Sequence, residues 1–248
     1  MTLWRLEWLR LVRTRRWVVL IFAYLFFGLL GPVTARYMGE IVKRFGGGVT
    51  VSFPDPTPAD GITQFVGNAS QIGLLIVVVV AAGALSLDAI PEIGTFFRTR
   101  VPSLARILLP RFAVTSTAAI GAFALGTLAA WYETVVLIGN LPAGRLFAGW
   151  ILGAIYLVFV VCVVALVAAR TSSVLTTVLV TVVILLGLPI IGIVPDVGKW
   201  LPSHLVGALD GIVRGVDFTD YLRAAAVTVI AGVTALWAAI RLTSRREL

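Results

Sequence analysis

Six stretches almost free of charged side chains dictate what this chain can fold into. They cover residues 17–35, 72–90, 112–132, 146–169, 171–193 and 224–240, each near the roughly 20 residues a helix needs to cross about 30 Å of hydrocarbon. With 59% of residues hydrophobic, 13% charged and a mean hydropathy of +1.02, a water-soluble fold has no means of hiding the apolar surface. The expected class is an all-α integral membrane protein of six transmembrane helices. An interfacial helix at 1–16 precedes a six-span domain at 17–248. The fourth and fifth spans meet at Arg170-Thr171-Ser172-Ser173, a link so short that they must run antiparallel.

Six crossings put both termini on one side, and the arginines say which. Arg5, Arg10, Arg13, Arg15, Arg16, Arg98, Arg100, Arg106, Arg111, Arg170, Arg241, Arg245 and Arg246 all fall on the terminal side, most of the 20 basic residues in the chain. Lys and Arg collect in cytoplasmic loops, so the expectation is a multi-pass protein of a bacterial cell membrane with both termini cytoplasmic. The net charge of +8 then reports orientation, and nucleic acid is not an expected partner.

At 100° per residue, Trp4, Trp8, Leu11 and Val12 read as one side of an interfacial elbow helix, with Glu7, Arg10 and Arg13 opposite. Arg15 breaks the pattern and marks its end. Thr14-Arg15-Arg16, with Val33-Thr34-Ala35 further on, also fits a twin-arginine export signal. The 17–35 run is longer than a signal core and five more runs follow, so it reads as an uncleaved first span. The external segment 36–71 reads as irregular: Gly46-Gly47-Gly48, Pro54, Pro56 and Pro58 mark a loop, with a short strand at 49–53.

Catalytic and metal sites find no support. His204 is the only histidine, so one chain cannot supply two imidazoles to a metal, and Ser203 beside it is no dyad, because adjacent side chains diverge. Cys162 lies in an apolar run and forms no disulfide framework. There is no Walker A sequence. Neither a catalytic residue, a metal nor a cofactor is expected.

The segment 91–111 is the most informative polar stretch. Asp88 closes the second run, Pro91 suits a first helical turn, and Glu92 stands where an acid favours a helix N-terminus. Gly94, Thr95, Phe96, Phe97 and Arg98 continue the helix, Pro102 restarts the chain, and Arg106 and Arg111 close it before the third span. On these residues alone it is a short surface helix or a solvated loop joining two spans.

Glu92-Ile93-Gly94-Thr95, then Pro102, then Arg106-Ile107-Leu108-Leu109-Pro110-Arg111 resembles the signature of permease subunits of ATP-binding-cassette exporters, the ABC type-2 transporter permease family. Pro110-Arg111 stands where those chains carry Gly-Lys. The resemblance implies that Glu92, Gly94, Thr95, Phe96, Phe97 and Arg98 form a coupling helix received by a dimeric cytoplasmic ATPase, and that residues 4–12 are the elbow beside it. It also implies a second permease chain, homo- or heterodimeric, and re-entrant helices in the external segment 194–223.

Within that external segment Gly207, Gly211 and Gly215 recur every four residues, which on a helix makes one small-residue face; Gly149 and Gly153 form a similar pair for helix packing. By the resemblance, the second and fifth spans line the dimer interface, which makes Gln71, Thr176, Thr177 and Thr181 candidates for the substrate path. Such threonines also commonly bond their own helix. The 73–80 stretch is wholly apolar, which favours a hydrophobic or lipid-like cargo. Two other classes stay open: a permease-shaped subunit that passes ATPase-driven force to a membrane or external partner, and an ion-coupled secondary carrier, which the lack of carboxylates inside the spans disfavours.

Overall fold

The computed structural model describes residues 3–45, 55–86, 105–194 and 196–245. Among these residues the chain is helical throughout, with no strand. Its elements are α1 (Leu3–Arg13), α2 (Arg16–Phe45), α3 (Pro58–Asn68), a π-helical turn (Ala69–Gly73) running into α4 (Leu74–Leu85), and α5 (Ala105–Leu137). They are followed by α6 (Ala143–Ala168), α7 (Val174–Ile191), a short α8 (Ala208–Val213) and α9 (Leu222–Arg245). Counting 58–85 as one, six helices are long and apolar enough to cross a membrane. Helix α1, the end of α4 and the start of α5 come together at one end of the bundle, the near end.

Among its described residues, the expected loop at 36–71 is largely helix, while Gly46, Gly47, Gly48 and Pro54 lie outside them. Nothing between Arg36 and Phe45 breaks a helix, so α2 continues well past the apolar run. The next helix starts at Pro58, pre-shaped for a first turn. There Asp60 Oδ2 accepts from the backbone N–H of Thr57 at 2.8 Å and from its hydroxyl at 2.7 Å. The strand expected at 49–53 lies outside the described residues.

Helix α6 is the centre of the bundle: 67% of its apolar stretch is buried, against 17% for α7. Three close approaches fix its surroundings. Helices α2 and α5 meet where a Cβ on Gly28 would overlap the Gly126 carbonyl oxygen, and one on Gly126 would lie 2.6 Å from the Tyr24 carbonyl oxygen. On α6, Gly149 admits the backbone of α8, a Cβ there falling 2.6 Å from Leu209 Cα, and Gly153 admits the Phe123 ring. The packing role read for Gly149 and Gly153 therefore holds, since small residues let membrane helices approach closely.

The glycine stripe at 207–215 is not a helix face. Helix α8 ends at Val213, and Gly215 has φ +102, a left-handed turn that an L side chain resists. Gly211 faces the Tyr221 hydroxyl within the same chain, while Gly207 has open space beside it. The spacing of four was real but the helix is too short to use it.

Candidate functional site

The near end gathers α1, the end of α4 and the start of α5 around one guanidinium. Arg111 Nε donates to Glu7 Oε1 at 2.9 Å, the two side chains being only 6% and 9% exposed. Arg111 Nη1 lies 3.4 Å from the Ala84 carbonyl oxygen, and Arg10 Nη1 stands 3.8 Å from Glu7 Oε2. Ala84 closes the helix that leads into residues 87–104, and Arg111 sits in the second turn of the helix that leaves them. A single side chain thus ties together both ends of that segment and the N-terminal helix. Two ions out of water need such pairing, because each alone is costly to bury.

This arrangement corrects the reading of α1. Glu7 precedes Leu11 by one turn and shares its face; these two are the buried residues of the helix, while Trp4, Trp8 and Val12 are exposed. Glu7, expected opposite Leu11, thus shares its face and turns a carboxylate toward the bundle. Its predicted end is where the structure puts it: Arg15 has φ 54, and the Thr14-Arg15 turn links α1 to α2. Arg16 reaches over α4, where Gly83 leaves room for its guanidinium.

The residues of the expected coupling helix, Glu92, Gly94, Thr95, Phe96, Phe97 and Arg98, lie outside the described residues. The substrate-path residues do not converge. Thr177 and Thr181 are both fully buried on one face of α7, as their spacing predicts, but Thr176 is exposed. Thr177 Oγ1 donates to the Ser173 carbonyl oxygen at 2.9 Å, and is 2.6 Å from Thr171 Oγ1 and 3.3 Å from Ser86 Oγ. It ties the tight turn before α7 to the end of α4. Thr181 Oγ1 is buried with no partner. Gln71 is exposed in the π-helical turn, some 20 Å of helix away from Ser86 at 1.5 Å per residue.

A second polar cluster, at the far end, was not read from the sequence. Arg214 donates to Asp60 Oδ1 at 2.9 Å, to Asp210 Oδ1 at 3.0 Å and to Thr63 Oγ1 at 2.7 Å, and Thr63 also donates to Asp210. The bond to Asp60 raises the Arg214 pKa above its ordinary value, so the charge is permanent. Asp210 and Arg214 four apart on one helical turn were a visible signal; Asp60, about 150 residues away in sequence, was not. The cluster fastens the 195–223 segment onto the start of α3. Among the described residues no group of three His, Cys, Asp or Glu is arranged to hold a metal ion.

The fold and its apolar helices define a membrane protein with six transmembrane helices. The chain is similar to the uncharacterized transmembrane protein YxlG of Bacillus subtilis (strain 168), 22% identical over 229 residues that cover 89% of this chain and 87% of that protein. No family model matches the chain, and no solved structure matches it.

Proposed function

We propose that this chain is the membrane-spanning permease subunit of an ATP-driven exporter of the ATP-binding-cassette type, moving a hydrophobic or lipid-like substrate. ATP is hydrolysed on a separate cytoplasmic ATPase dimer, and this chain carries no catalytic residue. It works in a bacterial cell membrane with both termini in the cytoplasm, paired with a second permease chain.

The observation that carries this reading is the Arg111 clamp. A helix at 92–101, docked in an ATPase, would be pushed when ATP closes the ATPase dimer. Because Arg111 binds Glu7 of α1 and the end of α4 while belonging to α5, the push would reach three elements as one body. The signature Glu92-Ile93-Gly94-Thr95 supplies the docking surface: Glu92 meets a basic residue, and Phe96 and Phe97 fill an apolar groove, aromatic anchors being frequent interface hot spots. The exposed apolar face of α7, with Leu175, Leu179, Val183, Leu186 and Ile190, supports pairing with a second chain through the fifth span.

The test is ATP-dependent movement of a fluorescent lipid analogue between leaflets of proteoliposomes holding the chain with its ATPase. Glu92→Lys combined with Phe96→Ala should abolish it. Unchanged flux in that variant sinks the coupling assignment, and ATP turnover without any flux in the unaltered complex favours a force-transmitting subunit.

A further inference from the structure

We propose that the near-end cavity beside the Glu7–Arg111 pair takes a phosphate oxygen of an anionic phospholipid, held by Arg16 and Arg10. The cavity has a volume of about 20 Å3, and Glu7, Arg10, Thr14, Arg16, Arg111 and Thr115 are among its lining residues. Three guanidiniums thus share it with a single carboxylate. Glu7 is bound by Arg111 at 2.9 Å and stands 3.8 Å from Arg10, while among the described residues the Arg16 guanidinium has neither a hydrogen bond nor an ion pair. Arg16 Nη2 lies 3.4 Å from where a Cβ on Gly83 would stand, one residue along α4 from the Ala84 carbonyl that Arg111 Nη1 approaches. A positive excess is therefore built into the wall of a cleft between helices, and a cation partly out of water calls for an anion. Arg16 is half-buried and the Arg10 side chain 37% exposed, so both keep surface for a ligand arriving from outside.

Size and depth select the anion. A volume of about 20 Å3 admits one oxygen-sized group and is far below the roughly 300 Å3 at which small-molecule pockets begin, so the rest of the ligand stays at the mouth. Arg16 and Arg111 each directly precede an apolar run, 17–35 and 112–132, which sets the cavity at the level where hydrocarbon gives way to headgroups. Close by in the chain, the exposed Trp4, Trp8 and Trp17 suit the level at which membrane tryptophans collect. The anion present at that depth, tethered outside the cavity and able to offer one oxygen, is a lipid phosphate. Guanidinium matches phosphate, and basic pockets between spanning helices recognise such headgroups. The sole carboxylate of the cavity is already bound to Arg111, so nothing there receives the ammonium of a zwitterionic lipid, and an anionic lipid is preferred. This site does not depend on the export reading.

The experiment uses the full chain, purified in mild detergent, stripped of lipid and titrated with phosphatidylglycerol or phosphatidylcholine of the same acyl chains; complexes with one lipid are counted by native mass spectrometry. Phosphatidylglycerol should bind at least roughly fivefold more tightly than phosphatidylcholine, and Arg16→Gln or Arg10→Gln should each remove about fivefold of its affinity, the contribution of one arginine close to anionic lipid. Arg13→Gln removes the same charge from an exposed position of α1 outside the cavity, and should change the affinity by less than about twofold, since solvent and salt screen it. With no bond to lose, Arg16→Gln should keep the thermal midpoint of the lipid-free protein. Equal binding of the two lipids overturns the proposal, as does an equal loss in Arg13→Gln and Arg16→Gln. Displacement of phosphatidylglycerol by equimolar inorganic phosphate or by a polyglutamate peptide also overturns it, by making the occupant a free anion or an acidic protein segment. So does a fall of several degrees in lipid-free Arg16→Gln, which would give that guanidinium a partner within the fold.

Discussion

Removing one partner of the Glu7–Arg111 pair would leave a charge stranded between helices. Glu7→Ala is therefore expected to cost about 3–5 kcal/mol, read as a fall in thermal midpoint of the detergent-purified protein. The joint replacement Glu7→Leu with Arg111→Met should be much less harmful than either single change, because it removes both charges and keeps the volume; an additive loss would mean that the pair is not the organising contact. Arg15 invites the opposite test. A non-glycine residue in the left-handed region costs about 1–2 kcal/mol, so Arg15→Gly should hold or raise the thermal midpoint, and a drop of several degrees would contradict the turn drawn between α1 and α2.

At the scale of elements, helix lengths were legible where hydropathy decided them and illegible where capping did. The run at 112–132 lies within α5 and that at 146–169 outlasts α6 by a single residue, yet α2 and α3 reach far into residues that read as loop, because charged residues are tolerated by a helix that has left the bilayer. Glu7 and Arg111 were each noticed, one as part of a polar face and the other as a departure from a family pattern. Their meeting could not be read, since it depends on how α1 folds back across α5. Periodicity failed at 207–215 for a related reason: a spacing of four means a face only if the helix lasts, and Gly215 ends this one. A side chain at Gly211 would run into the Tyr221 hydroxyl. Gly211→Ala should thus destabilise the far end, with accelerated amide exchange in α8, and Tyr221→Phe should recover much of the loss. No recovery would place the strain elsewhere.

For the whole molecule, six spans are joined at the near end by the Glu7–Arg111 pair, and the fifth span is poorly covered. With 17% of its apolar stretch buried, α7 needs lipid or protein around it, and pairing predicts that Val183→Cys, exposed to 70%, forms a disulfide-linked dimer in membranes under mild oxidation. The native Cys162 is buried and should not interfere, so a monomer at Val183→Cys would speak against pairing through this span. ATP-driven export through this chain requires residues 92–98 to meet an ATPase. Purifying the full chain from its own membrane in mild detergent, with a photo-crosslinking residue at Phe97, measures that directly. One dominant adduct with a P-loop ATPase, lost in Glu92→Lys, is the expected result; no adduct, or one that persists in Glu92→Lys and maps to a different surface of the chain, contradicts the coupling role.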